Sequence, residues 1–190
     1  MTDVTALPRL DLDKYLGRWY EICRLPIRWE DETATDITAT YALNEDRNIR
    51  VDNRCFDEDG KPSRAIGEAV PVDDAKSRLK VTFLPEYVRW IPFTKSDYWV
   101  LKIDSPYRTA LVGTPDRKYF WILSRQPQLA EATKVEYLDE AHQQDFDLAN
   151  LITPLHTGRE VSDAMVEGSW PSRRPTSLAA NKTCITIQKL

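Results

Sequence analysis

Gly17-Arg18-Trp19-Tyr20, set directly behind the helix-like Leu12-Asp13-Lys14-Tyr15-Leu16, decides how this chain is read. The strand Tyr119-Phe120-Trp121-Ile122-Leu123-Ser124-Arg125 ends on a matching arginine. A barrel that closes by pairing its first strand with its last brings Trp19 and Arg125 together at one end. There the guanidinium can lie flat on the indole face, a cation–π and stacking contact that lets a charged group seal an apolar floor.

Between these two stretches apolar residues recur with period two and are punctuated by turn chemistry, which predicts antiparallel strands. The segments run from Trp19 to Arg24, Asp36 to Leu43, Asn48 to Phe56, Arg64 to Val70, Leu79 to Leu84, Asp97 to Ile103, Thr109 to Gly113 and Tyr119 to Arg125. Asn44-Glu45-Asp46-Arg47, Asp57-Glu58-Asp59-Gly60, Pro71-Val72-Asp73-Asp74 and Ser105-Pro106 supply the breaks. A meander of this length can close on itself, which removes its sticky edges and leaves an interior large enough for one small ligand. From Gln128 to Gln144 the period changes to 3.6, with Leu129, Val135 and Leu138 on one face together with Ala132 and Ala141. After Ile152 the pattern dissolves, and Ser169-Trp170-Pro171-Ser172-Arg173-Arg174-Pro175 forbids a regular element.

These features resemble the lipocalin family. Gly17-x-Trp19 stands on the first strand and Arg125 at the end of the eighth, while Ile103-Asp104-Ser105-Pro106-Tyr107 is a degenerate form of the family's middle Thr-Asp-Tyr motif. Gly-x-Trp-Tyr-Glu-Ile with Trp-Ile-Leu-Ser-Arg is most similar to the bacterial lipocalin and apolipoprotein D branch, over about residues 8 to 152. The resemblance implies an all-β fold: an eight-stranded antiparallel up-and-down barrel with one C-terminal α-helix packed outside. Residues 1–152 form the barrel and helix, and 153–190 an irregular or wrapped extension. Gly17, Trp19, Asp104, Tyr107 and Arg125 are the expected barrel-closing residues.

Fixing Trp19 and Arg125 as inward fixes the parity of their strands. Glu21 and Cys23 then face the lumen with Trp19, and Trp121 and Leu123 face it with Arg125. On the third strand Ile49, Val51, Asn53 and Cys55 alternate with the charged Arg50, Asp52 and Arg54. The apolar sets elsewhere are Ile37, Ala39 and Tyr41; Ala65, Gly67 and Ala69; and Leu79, Val81 and Phe83. The sixth strand is ambiguous by alternation. The resemblance turns Tyr98 and Val100 inward, Trp99 outward under the helix, and Ala110 and Val112 inward on the seventh strand. The expected ligand-binding set is Glu21, Cys23, Ala39, Tyr41, Val51, Asn53 and Cys55 with Ala65, Val81, Phe83, Tyr98, Val100, Val112 and Trp121. A lumen this apolar, with isolated polar groups, is the usual make-up of a pocket that buries an apolar ligand.

With 190 residues and a formal net charge of -4, the chain fits one domain and lacks the basic face that nucleic-acid partners demand. No stretch approaches the ~18 apolar residues of a membrane span, and Met1 to Leu10 lacks a signal-peptide core. As written the chain reads as soluble and unexported, hence cytoplasmic, or as a trimmed mature form. Members of the bacterial branch are commonly outer-membrane lipoproteins anchored through an N-terminal cysteine, whereas the first cysteine here is Cys23. Three cysteines leave at least one thiol unpaired within the chain. The resemblance offers Cys55 and Cys184 as a disulfide tying tail to barrel wall.

Leu25-Pro26-Ile27-Arg28-Trp29 and Leu84 to Phe93, which contains Arg89 and Trp90, interleave aromatic residues with arginine beside the barrel mouth. They suit a membrane interface, a hydrophobic portal, a homodimer contact or a lid. Arg28 and Arg89 could pair with a phosphate or carboxylate there. The only histidines, His142 and His156, fall on the helix and in the tail, so no histidine metal site, cofactor motif or Cys-His pair is expected. The leading expectation is a non-enzymatic carrier of fatty acids or lysophospholipids, which the bacterial branch links to membrane maintenance under stress. The alternatives are a thiol-dependent lipid isomerase acting through Cys55 and an interaction module using the aromatic loops.

Overall fold

The computed structural model describes residues 3–27, 31–85 and 95–167. A one-turn helix α1 (Leu12–Tyr15) leads into eight strands: β1 (Gly17–Arg24), β2 (Thr35–Leu43), β3 (Ile49–Phe56), β4 (Pro62–Pro71), β5 (Arg78–Thr82), β6 (Ser96–Ile103), β7 (Thr109–Gly113) and β8 (Phe120–Ser124). Helices α2 (Glu131–Gln143) and α3 (Asp163–Glu167) follow. Each strand pairs antiparallel with the next, and β8 returns to β1, so the sheet is a closed barrel.

Short aspartate and asparagine side chains shape the turns. Asn44 Oδ1 accepts from the Asn48 amide at 2.8 Å, Asp57 Oδ1 from Lys61 at 2.8 Å, and Asp104 Oδ1 from Arg108 and Thr109 at 2.6 and 2.8 Å. Such bonds let the backbone reverse without a ladder partner.

Two apolar layers result. Inside the barrel, Leu10, Leu12 and Tyr15 from the N-terminal arm pack with Trp19, Leu79, Val100, Ala110 and Val112. Outside, α2 covers Ile22, Leu101, Leu111, Phe120 and Ile122. The helix presents Tyr137 and Ala141, with Leu138 half-buried beside them, and Tyr137 Oη donates to the Thr109 carbonyl at 2.9 Å. Val135, expected on this face, is 46% exposed. The helix is turned so that the larger Tyr137 ring is buried instead. Beyond it, Phe146 fills the notch left by the missing side chain of Gly113, where a Cβ would stand 2.7 Å from Phe146 Cζ.

The segment after α2 clasps the barrel. Ile152 exchanges backbone hydrogen bonds with Arg24 at 2.9 and 2.8 Å. The Asp36 carboxylate then receives the Thr157 amide (2.6 Å), the Thr157 hydroxyl (2.7 Å) and the Gly158 amide (3.1 Å). Arg159 lies 3.7 Å over Phe56, and Arg54 bridges Asp52 on its own strand to Asp163 on α3. Charged residues of β3 therefore face outward, as their alternation predicts, and serve as a landing strip for the tail.

Candidate ligand-binding site

The closed end is built around Arg125. Its Cζ lies 3.8 Å from the Trp19 ring centroid. The guanidinium donates to the carbonyls of Lys14 (2.8 Å), Leu16 (2.8 Å), Arg18 (2.7 Å) and Tyr107 (3.2 Å), and so caps the carbonyl end of α1 while sealing the floor. Gly17 takes a φ of +96°, and a Cβ there would sit 3.3 Å from Arg125 Nη1. That conformation suits glycine, and the close approach leaves little room for anything larger. Trp19 Nε1 donates to the Tyr15 carbonyl at 2.8 Å. Asp104 closes the β6–β7 turn, while Tyr107 (φ +58°) accepts the Asp11 amide on its hydroxyl at 3.0 Å. All five expected closing residues meet at this end.

Above the floor lies a cavity of about 40 Å³. Its walls include Ala39, Tyr41, Val51 and Asn53 from β2 and β3, Val81 and Phe83 from β5 and beyond, Tyr98 from β6, and Glu21 and Trp121 from the closing pair. These are nine of the expected set. Ile37, Thr38 and Leu123 complete the wall. Ile37 and Leu123 are inward by parity, whereas Thr38, paired with the outward Arg54, borders the cavity from between Ile37 and Ala39.

The other expected residues lie elsewhere. Val100 and Val112 point inward but are fully buried in the packed interior, away from the cavity wall. Ala65 pairs with Asn53 without reaching the cavity. Nor does β4 leave empty space as its small residues suggest: the Phe83 ring fills the volume over Gly67, 2.8 Å from where a Cβ would stand. Cys23 is not in the lumen. A bulge in the β1–β8 ladder sets Glu21 opposite Leu123 but Cys23 opposite Ile122, which turns Cys23 outward under α2. There burial pushes its thiol up to about 12. Cys55 is buried against Ala34 and Ile37 and is disulfide-bonded, so the expected lumen thiol does not exist. Cys184, the partner the resemblance offers, lies outside the described residues, as do Arg28, Trp29, Arg89 and Trp90 of the mouth segments.

The same bulge turns Arg24 inward, opposite Trp121. Its guanidinium is fully buried and donates to Glu21 Oε1 at 2.8 Å and to the Asp31 carbonyl at 2.7 Å. Burial raises the Glu21 carboxyl above its ordinary value, with the Arg24 charge opposing it. Sequence parity missed this pair, and the i, i+3 spacing of opposite charges was its only trace. Tyr15 was missed as well. From α1 it reaches up to Tyr98 Oη at 2.7 Å, and Tyr98 meets Tyr41 Oη at 2.9 Å. Burial holds all three phenols above their usual value, so they remain protonated.

A small closed barrel with a sealed floor and an apolar cavity among its described residues is the architecture of a protein that binds a small ligand. Known proteins agree. The lipocalin-like domain profile matches residues 10–156. Temperature-induced lipocalin-1 of Arabidopsis thaliana is 40% identical over 152 residues, covering 78% of this chain and 81% of that protein. The outer membrane lipoprotein Blc of Escherichia coli K12 is 36% identical over 151 residues, with coverage of 78% and 81%. Among solved structures, insecticyanin from the tobacco hornworm Manduca sexta superposes with a TM-score of 0.62 at 23% identity, covering 86% of this chain and 87% of its own. The chain belongs to the lipocalin family, whose members are generally binding and transport proteins, and membership supports the binding of small hydrophobic ligands.

Proposed function

We propose that the protein is a non-enzymatic carrier of single-chain lipids, fatty acids or lysophospholipids, with the acyl chain desolvated in the lumen and the head group at the mouth. The observation that carries this reading is the apolar cavity standing on the Trp19–Arg125 floor. The burial of Cys23 and the bonded state of Cys55 support binding over thiol chemistry. A role in membrane maintenance under stress is suggested by the similarity to proteins named as an outer membrane lipoprotein and a temperature-induced lipocalin.

Native mass spectrometry of freshly purified protein tests the reading, with a co-purified lipid as the expected result. In a homologous fatty acid series each methylene should add up to about 0.8 kcal/mol until the floor is reached. Affinity that ignores chain length would refute lumen binding.

A further inference from the structure

Two buried polar atoms, each on a residue that lines the cavity, have no hydrogen-bond partner among the described residues: Asn53 Oδ1 and Trp121 Nε1. Both residues are nearly fully buried, at 2% and 6% exposure. Buried polar groups are paired in most native proteins, so an unpaired acceptor and an unpaired donor in one small cavity call for a common explanation.

The tyrosine cluster adds a third group. Tyr15, Tyr98 and Tyr41 carry three O–H donors, but their hydroxyls make only two contacts with one another, at 2.7 and 2.9 Å. One O–H is left to donate beyond the cluster whichever way the chain of bonds runs. The surplus falls on Tyr15, Tyr98 or Tyr41 according to that direction; Tyr98 and Tyr41 line the cavity, and the Tyr98 ring centroid lies 6.2 Å from that of Trp121.

Charge narrows the choice. The carboxylate on the wall, Glu21, is engaged by Arg24 at 2.8 Å, and Arg24 is further bound to the Asp31 carbonyl. A ligand carboxylate at this depth would bring a second anion beside Glu21 and offer Asn53 Oδ1 no hydrogen. A bare methyl end would leave acceptor and donors unsatisfied. A hydroxyl is uncharged, donates once and accepts from one or two donors, which matches the set.

We infer that the lumen recognises a hydroxyl group at or near the buried end of its apolar ligand, through Asn53, Trp121 and the tyrosine cluster. This rests on the reading that the lumen holds an acyl chain and specifies which chain it selects. An apolar barrel without these groups would reject a hydroxylated chain, because hydroxyl desolvation would go uncompensated. The sign of the preference is therefore diagnostic.

The test is competition binding of an unsubstituted fatty acid and its ω-hydroxy derivative, at whichever chain length, lauric or palmitic, binds more tightly. The wild-type protein should prefer the hydroxy acid by about tenfold. In Asn53→Leu and Trp121→Phe proteins, checked for native circular dichroism, the ratio of the two affinities should fall to one or below. The ratio is the readout because it cancels general loss of packing. Preference for the unsubstituted acid by the wild type, or a hydroxyl preference that survives both substitutions, would overturn the inference while leaving the carrier reading intact. Binding of neither acid would overturn both.

Discussion

Arg125 stacks 3.8 Å over Trp19 while spending its hydrogen-bonding capacity on the carbonyls of Lys14, Leu16, Arg18 and Tyr107. One side chain therefore covers the indole, terminates α1 and ties β8 to β1. Truncating Trp19 to Ala should cost about 3–5 kcal/mol, the range for a fully buried aromatic. Because the partners share one contact, Arg125→Met combined with Trp19→Ala should cost less than the two changes summed. Urea unfolding of the four proteins of this cycle checks it, and strict additivity would show the stack to be energetically idle.

Gly113→Ala should destabilise the protein by about 1–3 kcal/mol, since the added methyl would meet Phe146 Cζ at 2.7 Å and Leu101 Cδ1 at 3.0 Å. Phe146→Leu in the same chain should recover part of that loss. Thermal unfolding distinguishes this from a glycine effect on backbone freedom, which a change at Phe146 would not repair.

Asp52 supplies the acid sensitivity of the tail clasp. Burial alone would raise its carboxyl, but hydrogen bonds and charge from Arg54 and Arg64 outweigh that and bring it down from 3.8 to about 2. A carboxyl depressed on folding stabilises the protein above its unfolded value and loses that contribution as pH falls through its folded one. Between about pH 4 and 2, then, the parent should lose on the order of 1–2 kcal/mol that Asp52→Asn has already lost at neutral pH; partly exposed arginines screen the effect. Denaturation midpoints of the two proteins should converge at low pH. Curves that stay parallel would remove Asp52 from the acid limb.

Native alkylation should leave the described cysteines unmodified. Cys23, with its thiol pushed up to about 12, exposes on the order of one thiolate in ten thousand at pH 8, and Cys55 has no thiol to offer until reduced. Intact mass after iodoacetamide, followed by peptide mapping with and without reductant, reads both. Rapid labelling of Cys55 without reductant would contradict its bonded state.

Most strands were legible because they alternate apolar and polar residues for long enough to mark an inside, most plainly where Ile49, Val51 and Asn53 interleave with Arg50, Asp52 and Arg54, and least in the sixth, where Tyr98, Trp99, Val100 and Leu101 are all apolar. The floor was legible because Gly17, Trp19 and Arg125 have few other uses together. Hydrogen-bond register was not. Ile22 and Cys23 are both apolar, so polarity could not reveal that they share the outer face, nor that Arg24 turns inward behind them. The rotation of α2 escaped for a similar reason: Val135 and Tyr137 are each acceptable on an apolar stripe, and the fit against Thr109 and Leu111 decides between them. The Asp36 clasp joins residues 121 positions apart, a contact that no local pattern announces.

The bulge between Glu21 and Cys23 also divides β1 into two separately addressable halves. Anyone reshaping this barrel for a new ligand who diversified every second residue from Trp19 would spend the Cys23 position on the seam beneath α2. The cavity-lining position on this strand is Glu21, and Arg24, one step out of phase, is the buried partner of its carboxylate. Deleting Ile22 would remove the one extra residue and restore strict alternation, with Glu21 and Arg24 still inward and Cys23 still outward.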